Sequence, residues 1–121
     1  MFGPGVQLIS LVRAHVGVVT DDIERASVFV HEWRALDRGR RDDIARRRDA
    51  YEARFRAAIT NGVELGAFAP VDPVLTVAYI LTALNGLVAW YDPKGRMPAG
   101  AIADVFADLT LRAVQTPGGR P

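Results

Sequence analysis

Apolar residues recur at three- and four-residue spacing through most of the chain, and no segment alternates with period two. That periodicity predicts an all-α protein of about five helices. In the first segment, from about Val6 to Val19, Ile9, Val12, Val16 and Val19 mark one apolar face. Its β-branched content lowers intrinsic helix propensity, so packing must hold it. Thr20, Asp21 and Asp22 supply capping side chains, and Glu24 sits in the next turn, where acid suits a helix N-terminus. A second helix carries Ile23, Ala26, Phe29, Val30, Trp33 and Leu36 on its stripe.

Asp37 to Gly39 interrupts the pattern, and a long third helix is predicted from about Arg40 to Leu65. Ile44, Tyr51, Phe55, Ala58 and Ile59 align on it, while its other faces pair acids with bases, as in Asp42 with Arg46 and Glu52 with Arg56. Such pairs contribute about 0.3 kcal/mol each. Gly66 is a natural left-handed stop, after which Phe68 can fold back onto the last turn. Asp72-Pro73 then caps and opens a fourth helix, Val74 to Tyr91. Asp92-Pro93-Lys94-Gly95 is turn chemistry. Pro98 can open the fifth helix, in which Ile102, Phe106, Leu109 and Ala113 repeat at helical spacing. Residues 1–116 form one domain in this reading, and 117–121 a flexible tail.

The fourth segment carries no charge over about the length of a membrane span. It nevertheless contains Thr76, Thr82, Asn85 and Gly86, lacks flanking basic clusters and sits between amphipathic segments. A helix buried on both sides fits better than a span.

Composition narrows the function. The 121 residues are 50% hydrophobic and 24% charged, with a formal net charge of +1, a globular balance with no overall drive toward nucleic acid or acidic lipid. The chain has no cysteine, which removes disulfides, thiolate metal sites and cysteine nucleophiles together and fits a reducing cytoplasm. Its N-terminus lacks the features of a secretory signal. His31-Glu32-Trp33-Arg34 begins like a zinc-binding H-E-x-x-H but lacks the second histidine, and no phosphate loop or nucleophile elbow is present. His15 and His31 therefore read as structural or surface residues, with no catalytic residue, metal or cofactor expected. The arginines from Arg34 to Arg56 are interleaved with Asp37, Asp42, Asp43, Asp49 and Glu52, which reads as a solvated, ion-paired face rather than a nucleic-acid surface. Arg34 or Arg47 can still meet an acidic ligand group at a cavity mouth.

Gly62-Val63-Glu64-Leu65-Gly66-Ala67-Phe68, followed by Val71-Asp72-Pro73 opening an apolar helix, resembles the C-terminal domain of TetR/AcrR-family transcriptional regulators. Trp90-Tyr91-Asp92-Pro93-Lys94-Gly95 is similar to the turn before the last helix in a subset of them, some of which respond to acyl-CoA or lipid-like ligands. Ala101 to Leu109 resembles their final helix. The resemblance implies ligand sensing and homodimerisation, with the last two helices of each subunit forming a four-helix interface. A complete member begins with a helix-turn-helix domain that no residue here supplies, so DNA binding would come only through a domain outside this sequence.

Two groups of residues carry the expected sites. Phe29, Trp33, Tyr51 and Phe55 read either as plain core or as the wall of an apolar pocket, completed by Leu81 and Asn85. A lone amide in the middle of a buried helix needs a partner, and a helix–helix hydrogen bond serves as well as a ligand. Ile80, Ala83, Leu87 and Trp90 lie opposite Leu81 and Asn85 and are assigned to the dimer with Val105 and Leu109. The reverse assignment of the two apolar faces stays open. The leading reading is a repressor domain that binds a small apolar or acyl-CoA-like effector. Against it stand a purely structural dimerisation module and a small membrane-associated helical protein.

Overall fold

Aspartates start three of the helices. Asp22, Asp37 and Asp72 accept hydrogen bonds through their carboxylates from the backbone N–H of Arg25 (3.1 Å), Arg40 (2.9 Å) and Leu75 (3.1 Å). Each satisfies one of the donors that a helix N-terminus leaves unpaired. In this computed structural model, which describes residues 3–116, the elements are α1 (Pro4–Asp21), α2 (Ile23–Glu32), a 3-10 turn (Trp33–Ala35), α3 (Arg38–Glu64), α4 (Pro73–Asn85), the single turn α5 (Leu87–Trp90) and α6 (Ala99–Val114). The fold is all-α, with five helices longer than one turn and no strand among the described residues. The expected tail, 117–121, lies outside the described residues.

α1 runs through the middle of the bundle. Its Leu8, Val12, Val16 and Val19 are buried among Phe55 and Ile59 of α3, Val77, Ile80, Leu81 and Leu84 of α4, Leu87, and Ile102, Ala103, Ala107 and Val114 of α6. α6 lies along α1, and Arg13 of α1 is ion-paired with Asp104 of α6 (3.0 Å) on the surface. α2 has no buried residue; it leans on α1 and α5 through half-buried Ile23 and Ala26.

The corner after α3 explains the glycine-glycine-phenylalanine pattern. Gly66 takes φ +73°, the left-handed stop, and the N–H groups of Ala67 and Phe68 both donate to the Gly62 carbonyl (2.9 and 3.0 Å). The Phe68 ring then lies where a Cβ on Gly62 would stand. Ala69 N–H donates to Val114 O (2.8 Å), tying the corner to the end of α6.

Several details differ from the sequence expectation. The second helix stops at Glu32 instead of Leu36, tightening into the 3-10 turn, and Arg46 pairs with Asp43 (3.5 Å) rather than Asp42. The fourth helix is interrupted at Gly86, where Ala89 N–H reaches back three residues to Gly86 O (3.0 Å); the dihedrals there stay helical (φ −59°, ψ −19°), so the chain keeps its course. The stretch Pro73–Trp90 is long and apolar enough for a membrane span, and within this chain only part of it is buried. One side packs inward, and Val74, Leu75, Tyr79 and Trp90 stay exposed. α6 is turned by about a residue from the expected stripe: Ala103, Ala107, Thr110 and Val114 face in with Ile102, while Leu109 and Ala113 face out.

Candidate functional site

A cavity of about 510 Å³ lies between α1, α2, α3 and α4. Its volume is in the range of small-molecule sites. The floor is formed by His15 and Val19 of α1, Tyr51 of α3, and Leu81 and Asn85 of α4. Ala26, Phe29 and Val30 of α2 form the opposite wall. Charged residues from α1, α2 and α3 stand at the rim, Asp21, Arg25 and Arg47 among them.

Helical spacing explains the assembly. Leu81 and Asn85 are one turn apart on α4, as are His15 and Val19 on α1, so each pair presents one patch to the same space. Three polar side chains join in series across the floor. His15 Nε2 lies 2.8 Å from Asn85 Oδ1, and His15 Nδ1 lies 2.7 Å from the Tyr51 hydroxyl. A neutral imidazole has one donor and one acceptor. With Nε2–H donating to Asn85, Nδ1 accepts from the Tyr51 hydroxyl. Burial holds the imidazole below its usual pKa of 6.5, opposed by the hydrogen bond to Asn85. Burial likewise raises the Tyr51 hydroxyl, with the nearby Arg54 charge opposing. Phe55 closes the cluster edge-on to both rings, at 6.3 Å from His15 and 5.5 Å from Tyr51.

Of the residues expected to line a pocket, Phe29, Tyr51, Leu81 and Asn85 border this cavity. Phe55 is fully buried behind it, and Trp33 stands in the 3-10 turn with the Arg48 guanidinium 4.7 Å from its ring centre. Asn85 does have the partner that a buried amide requires. That partner is His15, which sequence reasoning set aside as structural or surface; its place one residue before buried Val16 was the available signal. Arg48 was not singled out, and it lines the cavity. His31 is exposed beside Ser27, with Oγ and Nδ1 3.3 Å apart.

The outward side of α4 and α6 forms a second feature. Tyr79, Ala83, Phe106 and Leu109 border a shallow groove of about 110 Å³. Leu75 and Trp90 of the same stretch and Val105 of α6 are exposed as well, and the Trp90 and Phe106 rings lie 6.3 Å apart. Of the residues expected at a dimer face, Ala83, Trp90, Val105 and Leu109 are on the outside. Leu87 is fully buried in the chain's own core, and Ile80, 2% exposed, lies at the bottom of the groove. Tyr79 and Leu75 stand on the outer side as well.

The elements thus form an all-α bundle with a cavity beneath one helix and an uncovered apolar face on two others. The sequence matches the family described as tetracyclin repressor-like, C-terminal domain, over residues 3–114, and the chain belongs to that family. No curated protein matches it. Among solved structures, it is similar to the TetR-family transcriptional regulator PfmR from Thermus thermophilus (28% identity, 93% of this chain and 62% of that one, TM-score 0.85). It shares the fold of the ketosteroid transcriptional regulator KstR2 of Mycobacterium tuberculosis (20%, 96% and 60%, TM-score 0.88). It also shares the fold of AibR, solved in complex with isovaleryl coenzyme A and operator DNA (24%, 90% and 60%, TM-score 0.81). The chain thus spans about three-fifths of the length of these regulators.

Proposed function

We propose that this chain is the effector-sensing and homodimerising domain of a cytoplasmic TetR-type repressor. A small apolar or acyl-type ligand in the cavity changes DNA binding by a helix-turn-helix domain outside these residues. The observation that carries the reading is the cavity itself: a space of about 510 Å³ walled by apolar side chains, with one short polar chain, Tyr51–His15–Asn85, across its floor. Membership of the family supports a regulatory rather than catalytic role, and the acyl-CoA bound to AibR makes an acyl ligand a reasonable first probe.

Homodimerisation is supported by the outward groove. Exposed aromatic and aliphatic residues contiguous across two helices are the material of a self-complementary helical interface. Isovaleryl coenzyme A, decanoate and a steroid acid, each titrated into the purified chain while thermal unfolding is followed, test the sensing half. A ligand held at one hundred times its dissociation constant stabilises the folded state by about 2.7 kcal/mol. A midpoint unmoved by all three would leave a structural dimerisation module as the better description.

A further inference from the structure

We infer that Asn85 selects an uncharged ligand with a carbonyl-type oxygen, received by its amide N–H group at the cavity floor, and that His15 is the positioning residue that keeps the amide turned that way. This rests on the cavity being an effector site, and it adds the polar contact by which one guest is told from another.

Asn85 stands one turn after Leu81 on α4, with His15, Val19 and Tyr51 beside it on the floor. An amide side chain carries one acceptor oxygen and two N–H donors. The oxygen is engaged, 2.8 Å from His15 Nε2, whereas Nδ2 has no partner among the described residues and is not sealed within the packing. Its N–H groups are therefore donors that the floor leaves open to a guest. The Tyr51 hydroxyl offers no competing donor, because its proton goes to His15 Nδ1 at 2.7 Å. The imidazole is thus occupied on both sides, with Nε2–H on the Asn85 oxygen and Nδ1 on the Tyr51 proton. Turning the amide over would set its N–H against Nε2–H, donor against donor. The tautomer fixed by Tyr51 thereby fixes the amide as well.

The charges around the cavity do not favour an ion. Asp21, Asp22 and Glu52 stand against Arg25, Arg47 and Arg48 in the lining. Arg25 lies 3.6 Å from Asp22, Arg47 is 3.2 Å from Asp43, and Glu52 is 3.7 Å from Arg56. An ionised head carried to the floor would lose its water beside Val19 and Leu81 without gaining a countercharge. A ketone, ester or amide oxygen asks only for N–H donors, which Asn85 holds out.

Para-butylacetophenone, the styrene in which a methylene group replaces its oxygen, and para-butylbenzoate share one hydrophobic body, so their binding to the full chain by calorimetry tests the inference. The unaltered chain is expected to bind the ketone about tenfold tighter than the carboxylate or better. The carbonyl stretch of the bound ketone is expected below its frequency in hydrocarbon solvent. Asn85→Leu is expected to lower the ratio of ketone to styrene affinity about tenfold, with styrene binding retained as proof of an intact cavity. With Tyr51→Phe present throughout, so that no freed hydroxyl serves the ketone, His15→Leu is expected to lower the ratio about threefold. His15→Gln, whose amide N–H can take the place of Nε2–H, is expected to restore it. A carboxylate preferred by the unaltered chain, a carbonyl stretch at the hydrocarbon frequency, or a ratio unmoved by Asn85→Leu overturns the inference and leaves the cavity reading standing. Equal ratios in His15→Leu and His15→Gln overturn the positioning role. Failure of all three compounds to bind overturns both inference and cavity.

Discussion

The imidazole of His15 and the amide of Asn85, seventy residues apart in sequence, are joined by a 2.8 Å hydrogen bond that pins α1 to α4 at the floor of the cavity. Because burial keeps His15 below its usual pKa of 6.5, the folded protein resists a proton that the unfolded chain accepts. Its contribution to stability is complete above 6.5 and declines as pH falls from there toward the lower folded-state value. Denaturant unfolding at pH 7.5 and 5.5 should therefore show a larger acid loss for the unaltered chain than for His15→Gln. Equal losses would mean that the imidazole titrates as freely when folded as when unfolded.

The Phe68 ring stands where a Gly62 side chain would be, so Gly62→Ala should destabilise by about 1–3 kcal/mol through overpacking. Phe68→Ala should cost about 3–5 kcal/mol. The double variant should lose clearly less than the sum, since removing the ring makes room for the methyl group. Strict additivity in urea unfolding would show that the two do not compete for space.

Burial separates two kinds of variant on α4 and α6. Leu109→Arg, at a position 57% exposed, should shift the chain toward monomer in sedimentation with little change in monomer stability. Ile80→Ala, at a position 2% exposed, should cost about 2–5 kcal/mol and act chiefly on folding. A Leu109→Arg chain that still sediments as a dimer would move the interface elsewhere.

The two tryptophans serve as separate reporters. In Trp90→Phe the remaining Trp33, against which the cavity-lining Arg48 packs, should change emission when a ligand binds. In Trp33→Phe the remaining Trp90, 56% exposed beside Phe106, should respond instead to dilution through the dimer equilibrium. Reversed responses would place the cavity and the interface on the wrong helices.

α2 buries no residue, so its amides should exchange with deuterium faster than those of α1 or α3. Ligand should slow that exchange, because Ala26, Phe29 and Val30 would then rest on an occupied surface. Uniform exchange across α1, α2 and α3 would contradict this view of the cavity wall.

Much of the architecture was readable from residue spacing, because capping aspartates, the Gly66 stop and the three-to-four periodicity are local signals. The need for a partner at Asn85 was equally legible, as a buried amide demands one. The identity of that partner was not, since the place of His15 among Val12, Val16 and Val19 marks an inward position without saying which side chain it meets. The phase of α4 was also hidden. When a helix is apolar all round, periodicity cannot tell Tyr79 from Ile80, and only the positions of α1, α3 and α6 decide which faces in. Arg48 was concealed for a similar reason: in Arg46-Arg47-Arg48 the chemistry is identical, and Trp33 and Phe29 single one out by packing.

α4 touches the cavity with Leu81 and Asn85 and the outer groove with Tyr79 and Ala83, and these two pairs are offset by only two residues. A hydrogen-bonded rod of this length has little freedom to bend between its two flanks. Displacement of Leu81 by a guest would therefore be carried to Tyr79 almost undiminished, as tilt or rotation of one stiff body. The helix leaves no soft material in which such a push could dissipate before it reached the outer groove.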